Sequence, residues 1–299
     1  MQQQENLDQA AVVAAKAYMG EFARPTVIYA TTVIGAYAAT LVLAATNILP
    51  LPAAFLLVGV LTYLAYTILH ESAHGTISGS DQSRRWINEW LGYAAAWVLM
   101  IPLTAHRHEH LAHHRNTNDP DEDPDFLVSG MTRSPRNLLR LAPRIMWQQY
   151  KYYFTHRWGR GPRSQDLVLC AEVAAMTLPR VAFFAAGFWA EGLVLLIGAW
   201  LLGVSLTLFL FAYLVHTPHQ AVGRYVDTST ILVDGLLGRV VTGLWVYQNY
   251  HSIHHLFPRV PFYRYPALFA DIEPIMVARG APVYRLGFRG MQPVTPATS

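Results

Sequence analysis

The chain has 299 residues, of which 53% are hydrophobic and 14% charged, and its 22 Lys and Arg stand against 19 Asp and Glu. The apolar residues form long blocks, which excludes an ordinary soluble domain and indicates an all-α membrane protein. The single cysteine, Cys170, excludes a disulfide within the chain, a Cys-x-x-Cys zinc site and an iron–sulfur cluster. Basic and aromatic residues do not interleave, so nucleic acid is not an expected partner.

Four segments are long and apolar enough to cross a membrane, since a helix needs roughly 20 residues to span about 30 Å of hydrocarbon. They lie near 27–48, 53–70, 167–189 and 193–215, and they are predicted to form two hairpins. The second hairpin is predicted to turn at Glu191-Gly192. Arg180 is unexpected in the third span, because a charge near the middle of a bilayer is costly unless it is paired.

Two further apolar segments are interrupted by polar residues. Trp86–Leu103 is predicted to be interfacial or re-entrant, and Ser229–Tyr247 is predicted to contain an interfacial helix. The segment from Asp119 to Arg163 is rich in arginine, so the positive-inside rule places that face, with both termini, in the cytoplasm. We expect residues 1–299 to form a single domain that ends in a loose tail at 290–299.

Histidines are concentrated in four short segments, which hold twelve of the thirteen. Residues at i, i+3 and i+4 share a helix face, so His110, His113 and His114 converge, with His106 on the same side and His108 pointing away. The spacing recurs at His251, His254 and His255, and in a shorter form at His70 and His74. Single histidines at membrane edges are commonly interfacial, but three convergent clusters indicate metal binding.

Two metal chemistries fit the pattern. His70-Glu71-x-x-His74 matches the His-Glu-x-x-His motif of zinc proteases, and Val233-Asp234-Gly235 resembles the later aspartate motif of intramembrane proteases. Three zinc ligands would leave both His-x-x-His-His boxes unused. Eight histidines, with one more from His216 or His219, are enough for two metal ions, although imidazole alone does not select the metal.

The three clusters resemble the histidine boxes of the membrane fatty acid desaturase superfamily, which also contains carotenoid hydroxylases and ketolases. The matching patterns are His70-x3-His74, His110-x2-His113-His114 and His251-x2-His254-His255. The resemblance covers about residues 60–270 and implies four membrane spans, a cytoplasmic His-rich cap and a non-haem di-iron centre that uses O2. The implied iron ligands are these eight histidines and one after the fourth span, where His219 matches better than His216; His106 is a further candidate.

The resemblance also implies a reaction, the O2-dependent oxidation of an unactivated C–H bond in a lipid. His70-Glu71-x-x-His74-Gly75 resembles the boxes of acyl-lipid desaturases, which favours fatty acyl desaturation over carotenoid ring hydroxylation or ketolation. No catalytic residue is expected beyond the metal ligands, and Glu71 is not expected to act as a base. Metal-bound histidines usually donate their second ring N–H to a carboxylate, so one or two of Asp119, Asp121, Asp123 and Asp125 are expected to accept it, with Asp119 and Asp125 preferred.

Electrons are expected from an external donor, because the chain has one cysteine and no dinucleotide-binding glycine motif. The candidates are a ferredoxin, a rubredoxin or cytochrome b5 with its reductase. The expected docking surface is the arginine-rich face, formed by Arg133, Arg136, Arg140, Arg144, Arg157, Arg160 and Arg163.

Overall fold

The computed structural model describes residues 2–133, 135–287 and 290–294. Helices dominate the described residues: α1 (Gln2–Lys16), α2 (Arg24–Ala45), α3 (Leu51–His74), α4 (Arg85–Leu99), α5 (Leu103–Asn116), α6 (Pro135–His156), α7 (Arg163–Ala185), α8 (Trp189–His216), α9 (Gly235–Leu244), α10 (His251–Leu256) and α11 (Tyr265–Ala278). Three short strands complete the fold: β1 (Thr230–Leu232), β2 (Val283–Gly287) and β3 (Gly290–Pro293).

Four helices are long and apolar enough to cross a membrane, which confirms the predicted two hairpins. They are α2, α3, α7 and α8, with 22, 24, 23 and 28 residues. The turn between α7 and α8 lies at Gly187, where φ is +94°, so the prediction of a turn at Glu191-Gly192 was wrong by about one helical turn. Gly192 instead lies inside α8 and faces the ring of Phe184 on α7.

Helices α3 and α8 run side by side in the same direction and end together at His74 and His216, which we call the histidine end of the bundle. Their backbones approach closely where Gly59 faces Gly203. Near the histidine end, the rings of His70 and Phe211 lie 4.9 Å apart between centroids. The packing of these two spans therefore sets the distance between histidines that are far apart in sequence.

Helices α4 and α5 form a re-entrant pair, one of the two predicted forms of Trp86–Leu103. Helix α4 leaves the histidine end and α5 returns to it, after a turn that begins at Met100 with φ +59°. The turn lies against the inner part of α8, because the indole N–H of Trp200 donates to Leu99 O at 2.8 Å. The Tyr150 hydroxyl likewise donates to Met100 O at 2.9 Å.

Two charged side chains of α7 complete the hydrogen bonding of this turn. Arg180 donates to Trp97 O and Met176 O, at 2.6 Å each, and its guanidinium lies 4.3 Å from the centre of the Trp97 ring. The Glu172 carboxylate accepts two hydrogen bonds from Thr104, one from the backbone N–H at 3.2 Å and one from the side-chain hydroxyl. Helix ends leave backbone groups unpaired, and a bilayer offers no water to satisfy them. The charge at Arg180 is thus explained by the carbonyl groups that it binds.

A small sheet joins the segment after α8 to the end of the described chain. Strand β1 pairs in parallel with β2, and β2 pairs antiparallel with β3. The prediction of a loose tail was therefore wrong for Gly290–Pro293, while 295–299 lie outside the described residues. Ser229 N donates to Val215 O at 2.8 Å, and the Thr230 and Ser252 hydroxyls are 2.5 Å apart. The sheet therefore holds the end of α8 against the third histidine box.

Replacing Gly203 by alanine should destabilise the fold. A Cβ atom at this position would lie 2.5 Å from both Gly59 O and Thr62 Cβ, so the two spans would have to move apart. We expect a loss of about 1–3 kcal/mol, measured as a lower thermal unfolding midpoint in detergent. Gly35→Ala is the matched control, because that position in α2 has open space around it. Equal midpoints for the two variants would contradict the close approach of α3 and α8.

Candidate metal centre

Eight histidines form two groups in which every member places a ring nitrogen close enough to the others to share a metal ion. Site A consists of His70, His74, His110, His114 and His254, and site B consists of His113, His216 and His255. Within each group these nitrogens lie within 4.8 Å of one another. The ligands come from α3, α5, the end of α8 and α10, so the helices described above converge at this point.

The nitrogens of site A face one another. His114 Nε2 lies 3.1 Å from His110 Nε2 and 2.9 Å from His254 Nε2. Two nitrogens that each lie about 2.1 Å from a metal, at a right angle, would be about 3 Å apart. His70 lies at the centre of the group, with its ring centroid 4.1 Å from that of His254 and 4.7 Å from that of His110. The spacing therefore fits a chelating group.

Site B lies directly beside site A. His113 Nε2 and His216 Nε2 are 3.0 Å apart, and the rings of His114 and His255 stack at 4.2 Å across the two sites. His251 is not one of the eight, but its ring centroid lies 4.9 Å from that of His216 and 4.8 Å from that of His255. Two metal positions thus share one buried cluster.

Several ring nitrogens in the cluster are buried and unpaired. Both nitrogens of His70, and Nε2 of His74 and His255, have no hydrogen-bond partner among the described residues. A buried polar group without a partner is destabilising, and natural structures have few of them. A metal ion would satisfy these lone pairs, so the donor set fits a metal centre.

The other ring nitrogens are held from outside the cluster. Nδ1 of His113 meets Asp123 Oδ1 at 2.8 Å, and Nδ1 of His216 meets Ala212 O at 2.6 Å. Further outer partners are Gln248 for His251 (3.2 Å) and Tyr265 for His254 (3.1 Å), while Thr117 (3.3 Å) and Asp227 (3.7 Å) lie beside Nδ1 of His255. The carboxylate of Asp123 and the amide oxygen of Gln248 only accept, so they favour a proton on Nδ1 and leave Nε2 of the neutral ring free to bind a metal.

Electrostatics separate His113 from its neighbours. Burial, reinforced by neighbouring imidazoles, holds the pKa values of His110, His114 and His254 well below 6.5, which keeps these rings neutral. Burial alone lowers the pKa of His113 as well, but the carboxylates of Asp123 and Asp125 outweigh it and raise the pKa to about 9. Because a ligand must be unprotonated, an ion at site B would have to displace a proton from His113.

Comparison with known proteins identifies the family of this chain. The family model named fatty acid desaturase matches residues 46–287, which is most of the chain and includes all three boxes. The chain belongs to the fatty acid desaturase family.

Its relatives within the family are distant. The chain is 26% identical to a Delta(12)-acyl-lipid-desaturase of Punica granatum, over 78% of this chain and 69% of that protein. It is 26% identical to an sn-1 oleoyl-lipid 12-desaturase of Picosynechococcus, over 73% and 68%, and 22% identical to a fatty acid conjugase of Calendula officinalis, over 73% and 66%. The chain thus spans about two thirds of the length of these desaturase-family relatives.

Three predicted ligands lie outside both sites: His219, His106 and His251, whose position beside site B is given above. His216, the last residue of α8, enters site B in place of the preferred His219, whose ring packs on Tyr213 at 4.7 Å. His106 stacks on His110 at 5.0 Å, but its Nδ1 meets Gln149 Oε1 at 2.9 Å. The chain turns after α8 ends, and His219 therefore lies outside site B, whereas His216 is part of it.

The acidic loop after the second box contributes a residue other than the preferred ones. Asp123 contacts His113, whereas Asp119 Oδ1 accepts the backbone N–H groups of Asp121 and Glu122. Asp125 is a loop neighbour whose backbone N–H donates to Asp123 Oδ1 at 2.8 Å. The outer partners Asp227, Tyr265 and Gln248 carry no signal in the sequence, because none belongs to a histidine box or to the acidic run.

Asp123→Asn should weaken metal binding while Asp119→Asn should not. The asparagine keeps the shape of the side chain but removes the negative charge that faces His113. We expect metal affinity to fall about 10–100-fold, measured by competition with a chelator and by metal content after purification. Asp119→Asn is the matched control from the same loop. Equal metal retention in both variants would show that the contact with His113 has no part in binding.

Proposed function

We propose that the chain is a membrane-bound di-iron oxidoreductase that uses O2 to desaturate a fatty acyl chain. The observation that carries the proposal is the pair of adjacent all-histidine sites, joined by the stacked rings of His114 and His255 at 4.2 Å. Membership of the fatty acid desaturase family and the acyl-lipid names of the relatives support it. Five nitrogens at site A exceed the four ligands of a structural zinc site, and imidazole suits iron.

Each part of the site has a role in the proposal. Site A and site B would each hold one iron, with His251 as an additional ligand next to site B and His216 in place of His219. Bound iron would supply the reducing power that activates O2 for removal of hydrogen from an unactivated C–H bond. Asp123, Gln248 and Tyr265 hold the rings of His113, His251 and His254 in place through Nδ1, which orients these histidines for metal binding.

A small cavity beside site B is the proposed position of the reacting part of the acyl chain. His113 and His216 line one side, Phe126, Val128 and Ala212 supply apolar surface, and the remaining walls are polar, formed by Asn118, Asp123, Asp125, Ser129 and His219. Phe126 also lines a neighbouring groove, together with Ser129, Leu127, Leu141 and two exposed arginines. The groove offers a route by which a lipid chain would arrive beside site B.

The membrane orientation and the electron donor belong to the same proposal. The histidine end would face the cytoplasm with both termini, since α6 and the loop after it carry the basic residues Arg140, Arg144, Lys151, Arg157 and Arg160. The side chains of Arg133 and Arg136 lie outside the described residues. A ferredoxin, a rubredoxin or cytochrome b5 with its reductase would supply the electrons.

Glu71→Gln should retain most of the oxidase activity. Glu71 is buried in α3, and in the proposed oxidation the histidines hold both metals, so no carboxylate base is required. The measurement is product formation per iron, with His74→Ala as the inactive comparison. Complete loss of turnover with iron still bound would favour the zinc-protease alternative, in which Glu71 is the base.

The proposed reaction is tested by expressing the chain in a host whose fatty acids and carotenoids are both profiled. We expect additional double bonds in the acyl lipids and about two irons per purified chain. In a His113→Ala/His254→Ala variant, we expect neither the additional double bonds nor the bound iron. If the fatty acids are unchanged and the carotenoids are hydroxylated or ketolated, the substrate is a carotenoid ring and not an acyl chain. One zinc and no iron per chain would reject the di-iron centre.

A further inference from the structure

A polar depression lies at the C-terminal end of α3 and reaches site A. One wall is His74, a member of site A, and other walls carry three arginines, Arg85, Arg107 and Arg259. These arginines come from α4, from α5 and from the segment after the third histidine box. Three separate parts of the chain therefore bring positive charge to one metal-binding histidine.

The depression carries a surplus of positive charge. Glu89 is the acidic residue among its walls, and its carboxylate lies 2.9 Å from Arg107 Nη2 and 3.9 Å from Arg85 Nε. Arg259 is exposed and forms no ion pair within the ranges that the structure describes. Three guanidinium groups against one carboxylate leave a net charge of about +2, which would attract an acidic partner.

The chemistry of the walls distinguishes a protein partner from a lipid. Ser72, Ser78, Gln82 and Asn88 give polar walls, and no large apolar side chain lines the depression among the described residues. An acyl lipid bound here would have no place for its tail. The groove formed by Met146, Trp147, Trp200 and Leu201, in contrast, is largely apolar. The depression thus fits the charged surface of a protein better than a lipid head group with its chain.

The reaction requires such a partner. Removal of two hydrogen atoms from the acyl chain releases two electrons and two protons, whereas reduction of O2 to two waters consumes four of each. Two electrons and two protons must therefore come from outside in each turnover. The chain has one cysteine and no dinucleotide-binding motif, so a separate carrier has to supply the electrons one or two at a time.

We propose that an acidic one-electron carrier protein docks over Arg85, Arg107 and Arg259 and delivers its electron to site A through His74. The proposal rests on the proposed function and locates the donor on a different surface from the arginine-rich segment that the sequence suggested. Electron transfer slows steeply with distance, and this depression is bounded by a ligand of the metal site itself. Two reduced carriers each lose one electron in a turnover, and the two protons come from solvent.

The test compares two double charge reversals in the full-length, iron-loaded protein in detergent. Arg85→Glu/Arg259→Glu alters the depression, and Lys151→Glu/Arg160→Glu makes the same charge change at exposed positions on α6 and the loop after it. The probe is a purified acidic ferredoxin. We expect the first variant to raise the KM for ferredoxin about tenfold at low salt and to flatten its salt dependence, and the second to change KM less than about twofold. Arg85→Lys/Arg259→Lys should restore most of the affinity.

Three results for the Michaelis constants would overturn the proposal, and a fourth concerns the iron content. The first is an unchanged KM for ferredoxin in Arg85→Glu/Arg259→Glu, and the second is an equal increase in Lys151→Glu/Arg160→Glu. The third is a rise in the KM for the acyl lipid alone, which would make the depression a head-group site. Iron content and reduction of the iron by dithionite are measured in parallel. If the iron content and the reduction by dithionite fall together with the rate of reduction by ferredoxin, the arginines stabilise the metal centre. The docking proposal would then be rejected.

Failure of the docking proposal is distinguishable from failure of the proposed function. Direct binding of oxidised ferredoxin to the wild-type protein and to both double variants needs no turnover, so it tests docking alone. Wild-type protein that binds ferredoxin through the depression but forms no unsaturated product with any reductant would reject desaturation and retain the docking surface. Product formation with dithionite and no binding at the depression would reject the docking surface and retain desaturation.

Discussion

The structure depends on one constraint, which is that the ring nitrogens of a buried cluster of imidazoles must find partners. A buried imidazole with an unpaired nitrogen is unfavourable, and several of them side by side repel any added proton. The fold meets this constraint from outside the cluster, with Asp123, Gln248 and Tyr265 each satisfying one Nδ1. The inner nitrogens of both sites remain available to a metal ion.

The bilayer imposes a second constraint, which explains the charged residues inside the third span. The second histidine box lies on α5, and α5 reaches the histidine end from a turn inside the bundle. That turn exposes backbone groups that neither water nor a regular helix can satisfy. Arg180, Tyr150 and Trp200 bind the carbonyl groups at the end of α4, and Glu172 accepts the N–H of Thr104 in the first turn of α5. Charge in the membrane is therefore a requirement of placing His110, His113 and His114 correctly.

Those features that depend on local spacing were predictable from the sequence. Long apolar runs indicated the four spans, and the i, i+3, i+4 pattern indicated the histidines that share one face of α5. The choice between Asp123 and its neighbours depends on the folded loop, in which Asp123 Oδ2 accepts Asn118 N–H at 2.8 Å and Asp123 N–H binds Asp119 O at 3.0 Å. No spacing rule indicates that conformation. The turn at Gly187 was missed because Gly192 offered the same local signal, and only packing against Phe184 separates them.

Contacts between distant segments were outside the reach of sequence reasoning for the same reason. Asp227 precedes α9 in the sequence and His255 follows it, yet their side chains lie 3.7 Å apart. Strand β1 pairs with β2, which lies about fifty residues later in the chain. Strands of three to five residues have too little pattern to be recognised alone. These strands are able to pair because the third box and α11 fold back towards α8. That arrangement depends on the fold of the whole chain.

The position of the third box within the chain has a consequence for the order of assembly. His254 completes site A, but it is synthesised long after the hairpin that carries His70 and His74, and after the last span. All four spans are thus able to enter the membrane before any metal site is complete. A metal ion bound at site A would then close a very long loop between α3 and α10, and its binding free energy would become part of the folding free energy of the final segment. Metal supply during biogenesis would therefore affect how stably the segment that carries His254 joins the rest of the protein.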